Sequence, residues 1–171
     1  MILRLGLLLP AVLLLASCVT PTGPAVDLVE ARVLPLALDS DFEFRKFRRF
    51  LNQPEVFADT ESEMINFERR RANFGALLAD QRLRREGTYF DFFWRARRTA
   101  DLIVRFEYRQ AKTGNAVMAQ EIQVPQARGT MKSSFAVIGD SYRFDGPVTA
   151  WRCLLIEDNR IVGLTQSFLW R

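Results

Sequence analysis

The chain has 171 residues, 49% of them hydrophobic and 12% aromatic, which excludes a disordered polymer and suits one domain with a substantial core rather than two. Its formal net charge of +4, from 24 Lys and Arg against 20 Asp and Glu, is too mild to argue for nucleic acid. The chain contains no histidine, which removes the usual zinc ligand sets, the Ser-His and Cys-His nucleophile arrangements, and the default general base at neutral pH.

In chain order, residues 1–17 have the three parts of a secretory signal peptide: Arg4 as the positive n-region, the apolar run 5–15, and small residues before Cys18. The run contains Pro10 and is shorter than the roughly 20 residues needed to cross a membrane as a helix. Leu15-Ala16-Ser17-Cys18 resembles the lipobox of bacterial lipoproteins. The resemblance implies cleavage by signal peptidase II just before Cys18 and a diacylglycerol on its thiol, with palmitate among its acyl chains. At about 0.8 kcal/mol per buried methylene, two or three acyl chains hold a protein on its bilayer unaided. In two-membrane bacteria an aspartate after the lipidated cysteine commonly marks retention in the inner membrane. Here that residue is Val19, so the resemblance implies a cell-envelope protein on the periplasmic face of the outer membrane. The likeness covers only the first 18 residues.

Residues 18–25 read as lipid anchor plus flexible spacer, because Pro21, Gly23 and Pro24 suit neither a helix nor a central strand. The domain is then expected over 26–171. Its first strand is read at 26–38, with Val29, Ala31 and Val33 alternating against Glu30 and Arg32, and Pro35 placing it at an edge. Asp39-Ser40-Asp41 has N-cap chemistry, and Phe44, Phe47 and Leu51 recur at helical spacing, which predicts a short amphipathic helix over 42–52. Residues 60–86 admit two readings. Thr60 with Glu63 fits a capping box ahead of a stripe of Met64, Phe67, Phe74 and Leu78; alternatively Ile65, Phe67, Arg69 and Arg71 share a strand face, with a short helix following over 79–85. Gly75 weakens a long helix and favours the second reading.

From Gly87 the alternation is clean. Phe90, Phe92, Trp94 and Ala96 form one strand face, and Leu102, Val104, Phe106 and Tyr108 the next, joined in a hairpin through 97–101. That register sets residue 92 opposite 106 and 91 opposite 107. A third strand carries Ala116, Met118, Ile122 and Val124, and a fourth carries Met131, Phe135 and Val137 before a turn at Gly139-Asp140-Ser141. Asp158-Asn159 suits a two-residue turn with positive φ, which pairs Leu155 with Val162 and Cys153 with Leu164. Trp151, Cys153, Leu155, Val162, Leu164, Phe168 and Trp170 then share the core face. Cys153 reads as a small core residue, since Cys18 is committed to lipid and no base is present to activate a thiol.

This spacing predicts a mainly β domain, a single antiparallel sandwich of immunoglobulin-like look, with one or two short helices in its N-terminal half. No Gly-rich phosphate loop or metal-spaced cluster is present, and no cofactor is implied. Basic clusters such as Arg45-Lys46-Arg48-Arg49 suit anionic headgroups or acidic polysaccharide, or simply a solvated face. The expected register makes Asp91 and Glu107 the one carboxylate pair with a hydrolase's geometry, but Arg95, Arg105 and Arg109 beside them would keep both ionised. The reading favoured is a non-catalytic structural or interaction module. Its partners are the membrane, through lipid on Cys18, and another envelope protein or the cell wall. The candidate interaction face is Tyr89, Phe93, Arg95, Ile103, Arg105 and Arg109, an apolar centre with a charged rim. The alternative is a carrier of a small apolar or anionic ligand.

Overall fold

The computed structural model describes residues 19–53, 63–72 and 79–170. Cys18, Thr60, Phe74 and Leu78 lie outside the described residues. The elements are β1 (Thr20–Pro21), β2 (Val26–Leu28), β3 (Phe42–Asn52), α1 (Glu63–Ala72), α2 (Ala79–Arg85), β4 (Gly87–Gln110), β5 (Met118–Ile138), α3 (Gly139–Asp145), β6 (Val148–Glu157) and β7 (Arg160–Gln166).

The chain is mainly β, and its strands form one mixed sheet in the order β1-β5-β4-β6-β7, with β2 also on β5 and β3 also on β4. Two separate antiparallel sheets were expected; here every strand among the described residues belongs to one hydrogen-bonded sheet, and β1 runs parallel to β5. The sheet is built on one long hairpin. β4 pairs with β5 from Gly87↔Ile138 to Tyr108↔Met118, so the expected hairpin through 97–101 is instead the middle of a single strand. That strand folds over. Sixteen residues of extended chain would separate Phe90 from Phe106 by roughly 50 Å, yet their ring centroids are 4.7 Å apart. The fold-over lies where the β4–β5 register shifts on either side of Ala100 and where Gln126 and Gly129 take positive φ of 48° and 83°. Bulges bend strands and add twist in just this way.

Each half of β4 gains its own outer neighbour. β3 extends the first half, pairing Phe42↔Ala96 through Asn52↔Gly87, and β6 extends the second, pairing Ile103↔Ile156 through Gln110↔Val148. The inward residues of both halves meet in one aromatic core of Phe90, Phe92, Trp94, Phe106, Phe135 and Trp151. Phe92 lies 5.6 Å from Phe106 and 5.3 Å from Trp151 between ring centroids.

The expected helix over 42–52 is the strand β3. Asp39 does use its side chain as a cap, accepting the Asp41 N–H at 2.9 Å, but the turn it closes opens into extended backbone. Four phenylalanines in eleven residues fit a pleated surface, and the open edge of β4 satisfies the backbone groups. The strand expected at 65–71 is helical instead, as Glu, Met, Arg and Ala prefer, with Arg71 and Glu68 paired at i,i+3. α2 falls where the sequence placed it. Of the expected first strand, Val26–Leu28 pairs with β5 and Leu36 makes a single parallel bridge to Ile161 of β7; between them Val29 and Val33 are fully exposed. Gly139 opens α3 rather than a turn.

The last hairpin has the expected turn, with Asp158 and Asn159 at φ 46° and 59° and Glu157 opposite Arg160. One register shift between Leu155 and Ile156 then sets Leu155 against Gly163 and Leu154 against Leu164. Trp151, Cys153, Leu155, Val162 and Trp170 are buried as expected, whereas Leu164 is 38% and Phe168 83% exposed. On the other side of β6, Leu154, Ile156 and Ile161 make a second small cluster beneath Leu34.

Candidate functional site

The N-terminal segment expected as a free spacer is tied to the domain. Thr20 and Pro21 stand in register with Met131 and Lys132 of β5, and the Thr22 N–H donates to the Lys132 carbonyl at 2.9 Å. The Thr22 hydroxyl lies 3.1 Å from that of Ser133, which also accepts the Trp94 indole N–H at 3.0 Å. A chain of hydrogen bonds thus runs from the third residue after Val19 into the aromatic core.

Next to this root lies the outward face of β3, β4 and β5. The ladders set Pro21, Lys132, Phe93 and Lys46 in one row across four strands. The half-buried Phe93 ring has three cations over it: Lys46 Nζ at 4.8 Å, the Arg48 guanidinium at 5.6 Å and Lys132 Nζ at 5.9 Å. Such contacts need a cation near the negative ring face and keep the charges gathered around an apolar centre. Tyr89 stacks on Phe50 at 5.1 Å and donates its hydroxyl to the Arg85 carbonyl at 3.1 Å. Its phenol is pushed above its ordinary range, first by burial. Arg95 is exposed between Glu43 and Thr130.

The fold-over divides the face expected from sequence. Tyr89, Phe93 and Arg95 stay together, while Ile103, Arg105 and Arg109 lie on the outward side of the other half, which the chain itself covers. Ile103 packs with Leu34. Arg105, 7% exposed, donates to Glu121 at 2.6 Å and to the Arg32 carbonyl at 2.8 Å. Arg109 and Arg152 hold their guanidinium groups over Trp170 at 4.8 and 4.9 Å. These residues close the fold rather than present a surface.

Asp91 and Glu107 are not opposite each other. Phe90 and Phe106 meet inside, so their neighbours project outward from different halves. Asp91 accepts from Ser134 at 2.7 Å and pairs with Lys132 at 2.9 Å; Glu107, 3% exposed, pairs with Arg152 at 2.6 Å and Arg105 at 3.7 Å. Asp91 is thus paired with Lys132 and Glu107 with Arg152 and Arg105, and the two carboxylates do not form a pair.

Among the described residues, no group of three or more Cys, Asp and Glu is placed to hold a metal ion, and no helix is long and apolar enough to cross a membrane. Clefts among the described residues include one of about 310 Å³ beside Tyr108, Met118 and Ser141 and one of about 400 Å³ between Ile103, Val124, Pro125 and Ile156. Sequence reasoning passed over Lys46, Arg48 and Lys132 as partners of Phe93. The signal was present in the alternation Lys46, Arg48, Phe50, which becomes visible once 42–52 is read with period two. No protein-family model matches the chain, and neither the curated proteins nor the solved structures give a match.

Proposed function

We propose that this chain is a lipid-anchored cell-envelope protein, fixed to its membrane through acylated Cys18, whose β domain is a non-catalytic structural or interaction module. The observation that carries the reading is Leu15-Ala16-Ser17-Cys18 behind a charged and apolar leader, followed within two residues by the first strand. Val19 after the cysteine favours the periplasmic face of an outer membrane. The separate ion pairs of Asp91 and Glu107 speak for a structural role of both carboxylates and against glycoside hydrolysis by that pair. A carrier role has less support, because the interior between the two halves is filled by phenylalanine and tryptophan rings in contact. Whether the sheet behaves as an immunoglobulin-like module is part of the same proposal, and its support is the face-to-face packing of the two halves. Mass spectrometry of the N-terminal peptide tests the anchor: a diacylglyceryl cysteine at position 18 is expected, and an unmodified Cys18 or a retained leader overturns it.

A further inference from the structure

We infer that the outward face of β3, β4 and β5 lies flat against the anionic phospholipid headgroups of the same bilayer that holds Cys18. The inference rests on the lipid anchor proposed above and adds where the domain sits.

Chain length gives the first argument. Two residues of fully extended chain span at most about 7 Å, so an acylated Cys18 stays within that reach of Thr20. Thr20 is not free to swing, since β1 is in register with β5 and Thr22 is bonded to Lys132 and Ser133. The domain therefore has almost no standoff from its anchor. β1 runs parallel to β5, so the chain preceding Thr20 heads toward Gly129 and the fold-over. The β5 edge of the sheet, to which β1 is bonded, is thereby held close to the headgroup layer, and the outward face beside it starts within the same reach.

Charge gives the second. Across from β1, the face carries Lys46, Arg48, Arg95 and Lys132 around the Phe93 ring. Its two carboxylates are already neutralised, Asp91 by Lys132 at 2.9 Å and Glu43 by Arg45 at 3.0 Å. Among the described residues, Lys46, Arg48 and Arg95 have no carboxylate partner and are exposed. The corresponding face of the other half is buried under Leu34, Arg32 and Trp170. Juxtamembrane basic groups are drawn to anionic lipid, and an aromatic ring between them suits the interface.

The test uses the full chain, acylated in its host, checked by mass spectrometry and reconstituted in vesicles of phosphatidylcholine and phosphatidylglycerol containing a headgroup spin label. A fluorophore is attached through Lys46→Cys or through Asn115→Cys in the exposed 111–117 turn; the buried Cys153 does not compete. Position 46 is three strands from β1, roughly 14 Å, so quenching there requires the whole face to be apposed and not only its anchored edge. Several-fold stronger quenching at 46 than at 115 is expected, and Arg48→Glu should bring the two values together. Equal quenching at both positions in acylated protein, or quenching at 46 unaffected by Arg48→Glu, overturns the apposition and leaves the anchor standing. An unmodified Cys18 overturns both.

Discussion

Leu164 and Phe106 show how much a single register shift changes a residue. Alternation assigns both to the core, yet Phe106 is completely buried between Phe90 and Phe135 while Leu164 is 38% exposed. Phe106→Ala is therefore expected to cost about 3–5 kcal/mol, and Leu164→Ala less than about 1 kcal/mol, in denaturant melts. A large loss at Leu164 would place it in the core after all. Cys153 lies in the same core, and burial pushes its thiol well above the ordinary range. A thiol reagent at neutral pH should modify it only as fast as the domain unfolds; rapid reaction of the folded protein would contradict that burial.

Between elements, the backbone rather than side-chain volume sets the constraint. Gly87 begins β4 at φ 142°, and a Cβ there would stand 2.3 Å from the Val137 carbonyl oxygen of β5. Gly87→Ala should destabilise by more than about 2 kcal/mol, because neither strand of that ladder can move without breaking its pairing. A melting curve equal to the parent's would show that the end of the β4–β5 ladder is loose. At Gly163 the neighbour is a side chain instead: a Cβ there would stand 3.0 Å from Leu155 Cδ1. That close approach accompanies the shift between Leu155 and Ile156, and it explains why a turn identified correctly at Asp158-Asn159 did not yield the correct partners further along. Register counted outward from a turn is valid only up to the first bulge.

For the molecule as a whole, the response to alkali follows from Tyr108 and Cys153. Burial, then nearby Asp27, pushes the Tyr108 phenol from 10.0 up to about 12. The folded state thus keeps a proton that the unfolded state releases. The stabilisation is complete below about pH 10 and is lost as pH rises toward 12, at no more than about 1.4 kcal/mol per pH unit for one group. Cys153 acts with the same sign, since its pKa is also raised. Melts as a function of pH should show declining stability across this window and a shallower decline in Tyr108→Phe; an unchanged slope would assign the effect elsewhere. At the acid end Asp39 has the opposite sign. The Asp41 N–H, then Arg98, hold its carboxyl below the usual range, so its contribution is present above that range and fades as pH falls through the lowered value.

The sequence by itself determined which residues of β4, β5 and β6 face inward, because two-residue alternation is a property of the extended chain and needs no partner. It also determined the Asp158-Asn159 turn and the α2 helix, each written in a few adjacent residues. Only the tertiary structure decided that 97–101 is the bend of one strand rather than the turn between two. Both arrangements bring Phe92 near Phe106, and the polar stretch Arg97-Arg98-Thr99 satisfies either. It decided likewise that 42–52 is a strand, since the open edge of β4 supplies hydrogen-bond partners that outweigh the helical spacing of Phe44, Phe47 and Leu51. From those two outcomes follows the division of the candidate face, with Phe93 left among Lys46, Arg48 and Lys132 while Arg105 and Arg109 are covered by residues distant in the chain. Inward and outward are local properties of a strand; which outward side the rest of the chain covers depends on contacts between residues more than 60 positions apart, such as Arg32 and Arg105.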